Sequence, residues 1–247
     1  MNQIDWTFNR IAYTFFMAIS LAVCVLVRRW QPRTRTSHPP LSLEERFALA
    51  MAAFVGGMLS AKLPFLSFDA NGWFSGQAWL ADGKTVTTGI AGAYATVEIT
   101  KWCMGIQVKT GDSFALPLAV ALAIGRLGCF FNGCCFGIPT QMPWGVNFFG
   151  DGLRHPTQLY EVGFHAFMAV VLWRMAARDA LATHRLQFYL IFYCIYRFAT
   201  EFLRPEPDLA LGWTFYQWFS LVFGLALALQ WLVSRSEAPA SDSNIRT

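Results

Sequence analysis

The sequence predicts an all-α integral membrane protein of about seven transmembrane helices, with the amino terminus outside and the carboxyl terminus cytoplasmic. Three observations predict it. Of 247 residues, 55% are hydrophobic and only 14% charged, too apolar a balance for a water-soluble domain of this length. Apolar segments of roughly 17 to 24 residues, enough to cross ~30 Å of hydrocarbon as helix, recur along the chain. Lysine and arginine are divided unevenly between the connections.

The apolar segments fall near 9–27, 46–66, 86–107, 113–135, 157–176, 186–204 and 213–233. The third carries Glu98 and Lys101, and the fourth is interrupted by Gly125, Arg126 and Gly128. Neither reads as plain lipid-facing helix, because an ionised side chain in hydrocarbon costs several kcal/mol unless it is paired or hydrated. Both are expected to line something polar.

Arg28, Arg29, Arg33, Arg35, Arg46, Lys109, Arg174, Arg178, Arg185, Arg235 and Arg246 fall on one side of this topology; Arg10, Lys84, Arg154 and Arg204 fall on the other. The richer side is read as cytoplasmic. Residues 1–235 form the polytopic membrane domain, with a short extracytoplasmic arm near 67–84, where Trp73 and Trp79 suit the headgroup level. Residues 236–247, with the end of the chain rich in Ser, Ala and Asp, are expected to be a disordered cytoplasmic tail, and 32–40 a flexible cytoplasmic loop.

Several function classes drop out. The net charge of +4 does not imply a nucleic-acid partner, because the basic residues are dispersed between apolar runs. Cys24, Cys103 and Cys194 sit in apolar runs, so a secreted disulfide framework is a poor description. No small-residue cleavage site leads from the first apolar run into a soluble domain.

Three polar segments face the outer side of this topology: GRLGCFFNGCCFG (Gly125 to Gly137), HPTQLYE (His155 to Glu161) and YCIYRFATEFLRPEPD (Tyr193 to Asp208). In the last, Tyr193, Arg197, Glu201 and Arg204 recur at i, i+4, i+8 and i+11, which places them on one helix face. Arg197 and Glu201 either pair to fix packing or serve a site. Arg126 has no acid within a turn, and an unpaired guanidinium between glycines invites a phosphate. Gly125, Gly128 and Gly133 admit a neighbouring helix or a headgroup. His155, before Pro156, suits either a helix cap or catalysis, and Glu161 in the first turn suits the helix dipole and reads as structural.

Cys129, Cys134 and Cys135, with Asn132, admit packing, a disulfide, or a metal or redox site. No fourth ligand stands at a recognisable spacing, so packing or a disulfide is favoured and no metal ligand is assigned. No partner can be named for His38, His165 or His184.

Together these segments resemble the signature segments of the bacterial prolipoprotein diacylglyceryl transferases, over about residues 85–220. The resemblance implies an enzyme of the bacterial inner membrane, its site facing the periplasm. Such an enzyme moves the diacylglyceryl group of phosphatidylglycerol to the thiol of a lipobox cysteine in a secreted preprolipoprotein and releases glycerol phosphate, with no cofactor. By position, Arg126 matches the family's essential arginine, and Arg197 and Glu201 its later pair. Tyr193 matches a functional tyrosine, Gly137 the closing glycine and His155 the histidine that opens HPxQLYE. Arg126, Arg197, Glu201 and His155 are thus the expected catalytic set. Tyr193, Gly137, Asn132, Cys129, Arg204 and Gln158 are expected to bind substrate.

The sequence departs from the family pattern in places. Cys129 stands where the family has asparagine, and Cys134 where it has an acid. Thr87 or Thr88, in TVTTGIAGAY, stands where the family has a histidine near the reacting thiol. Two rivals follow: a paralogue acting on another acceptor, with His155 as base, and a non-catalytic phospholipid-binding or assembly protein. A lipid or anion transporter ranks last, because no inverted repeat is visible.

Overall fold

A computed structural model of the chain describes residues 9–31, 41–68, 85–148, 150 and 152–236. Seven α-helices carry the described residues: α1 Asn9–Trp30, α2 Leu43–Phe68, α3 Val86–Met104, α4 Asp112–Phe131, α5 Thr157–Ala177, α6 Arg185–Thr200 and α7 Phe215–Ser236. Two short antiparallel ribbons accompany them, β1 Val146–Asn147 with β2 Leu153–Arg154, and β3 Asp208–Ala210 with β4 Trp213–Thr214. The loop at 32–40 lies outside the described residues. So do the arm expected at 67–84 and the tail expected at 236–247, apart from Ser67, Phe68 and Ser236, which end helices.

Among the described residues, four helices are long and apolar enough to cross a membrane: Ile11–Trp30, Leu43–Pro64, Asp112–Phe131 and Phe215–Ser234. Of the two spans expected to line something polar, α4 is among these four despite Arg126, and α3 is not. α3 contains Glu98 and Lys101, whose ammonium and carboxylate pair one turn apart at 2.9 Å. α5 buries Gln158, Glu161 and His165, and α6 buries Arg185, Gln187 and Arg197.

The chain divides into two compact units. One comprises 36–109 and 218–223. Its α2 begins with a reciprocal cap, in which Glu45 N–H donates to Ser42 Oγ and Ser42 N–H to Glu45 Oε2. α2 and α3 approach closely because their facing residues are small: a Cβ on Gly56 would collide with Thr96, and one on Gly92 with Ser60. Thr96 Oγ1 crosses that seam to donate to Ala52 O at 2.7 Å. Thr87 and Thr88 are buried in this unit.

The other unit comprises 1–35, 110–217 and 224–247. Here α4 packs on α1, α5 and α6. Phe16 stacks on Phe131, Ser20 Oγ donates to Ala121 O at 2.9 Å, and a Cβ on Gly128 would stand 3.0 Å from Phe16 Cβ. Gly125 and Gly128 therefore face a helix. At the start of α4 the buried Asp112 carboxylate accepts the backbone N–H groups of Thr183 and Arg185 and lies 3.6 Å from the Arg185 guanidinium.

Two helices stop four positions short of the expected spans. α4 stops at Phe131 rather than 135, where Gly133 and Cys135 take left-handed backbone, φ 64° and 65°. α6 stops at Thr200 rather than 204: Glu201–Leu203 tightens into a 3-10 turn and Arg204 is extended, as Pro205 demands of the residue before it. The helical face expected to run from Tyr193 through Arg204 thus ends before Arg204.

Candidate functional site

The core of the site is the carboxylate of Glu161, buried on α5 at 2% exposure. Its Oε1 accepts the Arg126 guanidinium of α4 at 2.9 Å and the Tyr193 hydroxyl of α6 at 2.8 Å, and lies 3.6 Å from His165 Nε2. The expectation of an unpaired Arg126 is therefore wrong: its partner comes from a different helix, which sequence spacing along α4 could not reveal. Glu161 is correspondingly more than a first-turn acid placed for the helix dipole.

His165 had no nameable partner in the sequence, yet it is fully buried, with Nδ1 2.8 Å from Tyr189 Oη. A usable signal did exist. Gln158, Glu161 and His165 recur at i, i+3 and i+7 on α5 and share a buried stripe with Met168 and Leu172. Polar residues on such a stripe face partners, not lipid.

Arg197 Nη2 donates to Glu201 Oε2 at 2.7 Å, and Arg197 lies 5.9 Å from the Tyr216 ring centre. Glu201 also accepts Thr214 Oγ1 at 3.4 Å. Thr214 caps α7 reciprocally with Gln217, so one threonine starts a helix and supports the carboxylate. Among the described residues, Nε of Arg126 and Nε of Arg197 are buried with no hydrogen-bond partner, as is Gln158 Oε1. Buried donors are rarely left idle, so each of these guanidiniums keeps one donor for a further acceptor.

Gly137 joins the three signature segments. Its N–H donates to His155 O at 2.8 Å, while the N–H of Ile138 donates to Leu203 O at 2.9 Å. A Cβ at Gly137 would collide with Leu203 O and stand 2.9 Å from His155 Cβ, so only glycine fits. His155 is turned to a different group: its Nδ1 lies 3.0 Å from Tyr160 Oη, which accepts the Trp144 indole N–H at 2.8 Å. Arg204 Nε is 4.0 Å from Glu206. Gln158 Nε2 donates to Cys134 O, and Asn132 follows α4 beside the Cys134 thiol.

The Cys129, Cys134 and Cys135 thiols gather within 4.8 Å of one another and are all free. Cys135 lies beyond α4; the adjoining Cys129 and Cys134 thiols, with the nearby Arg126 and Arg204 charges, hold its thiol below the usual range.

Residues 3–233 match the family described as prolipoprotein diacylglyceryl transferase. The chain belongs to that family. Among curated members, it is 33% identical over 249 residues to the phosphatidylglycerol–prolipoprotein diacylglyceryl transferase of Solidesulfovibrio magneticus, covering 90% of this chain and 89% of the relative. The enzyme of that name from Coxiella burnetii is 33% identical over 192 residues, covering 74% and 71%. That from Bordetella parapertussis is 41% identical over 127 residues, so the match spans about half of each chain, 47% and 48%. The buried Arg126, Glu161, Tyr193 and Arg197 are thus the interior of a diacylglyceryl transferase family member.

Proposed function

We propose that this protein transfers the diacylglyceryl group of phosphatidylglycerol to the cysteine thiol of a preprolipoprotein, in the bacterial inner membrane with its site toward the periplasm. In the chemistry of such a transfer, the acceptor sulfur forms a bond to the terminal glyceryl carbon as the bond from that carbon to the phosphodiester oxygen breaks. Glycerol phosphate leaves with the electron pair, and the thiol proton is released. The greatest demand on the protein is to hold a phosphate and stabilise the charge that collects on its leaving oxygen.

The observation that carries this reading is the pair of buried guanidiniums from α4 and α6, each with an unused Nε donor. In this proposal Arg126 and Arg197 clamp the phosphate. Glu161 and Glu201 orient the two forks, and Tyr193 holds Glu161 in place. The uneven distribution of lysine and arginine supports an outer amino terminus, and the seven helices support about seven membrane crossings within a membrane domain of residues 1–235. The reading is tested by reconstituting the full chain with phosphatidylglycerol and a lipobox peptide. A peptide mass raised by one diacylglyceryl group supports it, and an unchanged mass overturns it.

A second reading, phospholipid binding without turnover, is favoured by Thr87 and Thr88. They supply hydroxyls rather than an imidazole, and Thr88 Oγ1 is bonded to Thr85 O at 3.4 Å. Retained phosphatidylglycerol binding with no peptide product selects it.

A further inference from the structure

The bond-making and bond-breaking of the transfer give no step to the three thiols that gather at the end of α4. Sγ of Cys134 and Sγ of Cys135 are 3.8 Å apart, and Cys129 Sγ completes a group in which every pair lies within 4.8 Å. Thiolates bound at about 2.3 Å to one ion stand about 3.8 to 4.0 Å apart. The sulfurs are therefore already near the spacing of a shared ion.

The backbone explains how two adjacent residues can both contribute. Neighbours in extended chain point to opposite sides, but Cys135 is left-handed at φ 65°, a conformation costly for a residue with a Cβ. Its carbonyl accepts Thr157 Oγ1 at 2.7 Å, and the Cys134 carbonyl accepts Gln158 Nε2. Both main-chain oxygens are tied to the start of α5 while both sulfurs turn toward Cys129. Cys134 N–H donates to Cys129 O at 3.2 Å, closing the loop on itself.

We infer that Cys129, Cys134 and Cys135 form a three-thiolate site for a soft transition-metal ion, monovalent copper or zinc. Sulfur ligands select such ions over magnesium or calcium. The group contains no His, Asp or Glu among the described residues, which suits three-coordinate copper or zinc with a water as fourth ligand. Each thiol that binds releases its proton to solvent as its sulfur–metal bond forms. A disulfide explains the group less well, since it would use two of the three sulfurs.

The test uses the full chain, purified in detergent and reduced. Monovalent copper and zinc are offered in separate arms, each against a coloured chelator, with X-ray absorption on the product. One ion per chain in either arm, with sulfur at about 2.3 Å and at most one light atom at about 2.0–2.2 Å, is the expected result. The ion should be lost in Cys134→Ser and in the Cys129→Ser, Cys134→Ser, Cys135→Ser triple variant, and kept in Cys103→Ser. No bound ion in either arm, undiminished binding in a correctly folded triple variant, or a disulfide within the trio that persists under reduction overturns the inference. The readout is metal stoichiometry, so it stands or falls separately from diacylglyceryl transfer.

Discussion

The Tyr193 hydroxyl and the Arg126 guanidinium donate to the same oxygen, Oε1 of Glu161, at 2.8 and 2.9 Å. One carboxylate oxygen thereby ties α4, α5 and α6 together in the interior. A buried ion pair broken on one side leaves an uncompensated charge, a loss of about 3–5 kcal/mol. Arg126→Ala should therefore lower thermal stability strongly as well as abolish transfer. The double variant Arg126→Met, Glu161→Leu removes both charges and should recover most of the stability with no transfer. Thermal unfolding in detergent alongside the peptide mass assay checks this; a double variant that still transfers contradicts the role of Arg126.

Tyr193→Phe removes one hydrogen bond to a charged group, worth about 1.5–3 kcal/mol, and leaves the ring in place. Transfer should fall by about 10- to 100-fold, because Glu161 loses one of its fixed donors. Initial rates of diacylglyceryl transfer measure it, and a rate within twofold of the parent counts against Tyr193 as a positioning residue.

Arg197→Lys retains a cation that can pair with Glu201 but loses the planar fork and its Nε donor. The expected outcome is near-parental stability with transfer weakened by about 10- to 100-fold, chiefly through phosphatidylglycerol binding. Varying the phosphatidylglycerol content of mixed micelles separates binding from turnover.

Gly137→Ala should destabilise by about 1–3 kcal/mol, since the added methyl meets a backbone carbonyl that cannot move aside freely. Gly163→Ala, on α5, has nothing within 4 Å of its new Cβ and should be neutral or stabilise by about 0.5–1 kcal/mol through helix propensity. Unfolding midpoints of the two variants, read side by side, check the contrast.

The helices were legible because hydropathy and span length are properties of consecutive residues: all seven expected segments coincide with helices within a few positions. Their ends were less so. Pro205 could have been read as the stop for α6, whereas the left-handed turn at Cys135 carries no local signature, cysteine being no turn former. In the site, Arg126, Arg197, Glu201 and Tyr193 were found from their polarity within apolar runs. Glu161 and His165 are harder to read because the tyrosines that hydrogen-bond them, Tyr193 and Tyr189, stand more than twenty positions away in sequence. The Arg197–Glu201 contact, one turn long, was visible; the Arg126–Glu161 contact, made between helices, was not.

The backbone joint at Gly137 and Ile138 has a bearing on how variation is tolerated. Main-chain atoms of the loop leaving α4 are fastened at once to the strand entering α5 and to the turn leaving α6, so the segments behind Arg126, Glu161 and Glu201 share a common anchor. Side-chain changes at Ile138 or Leu203 can preserve those amide links, but inserting or deleting a single residue in either segment shifts the register of all three. Length polymorphism in natural homologues should accordingly be confined to other connections.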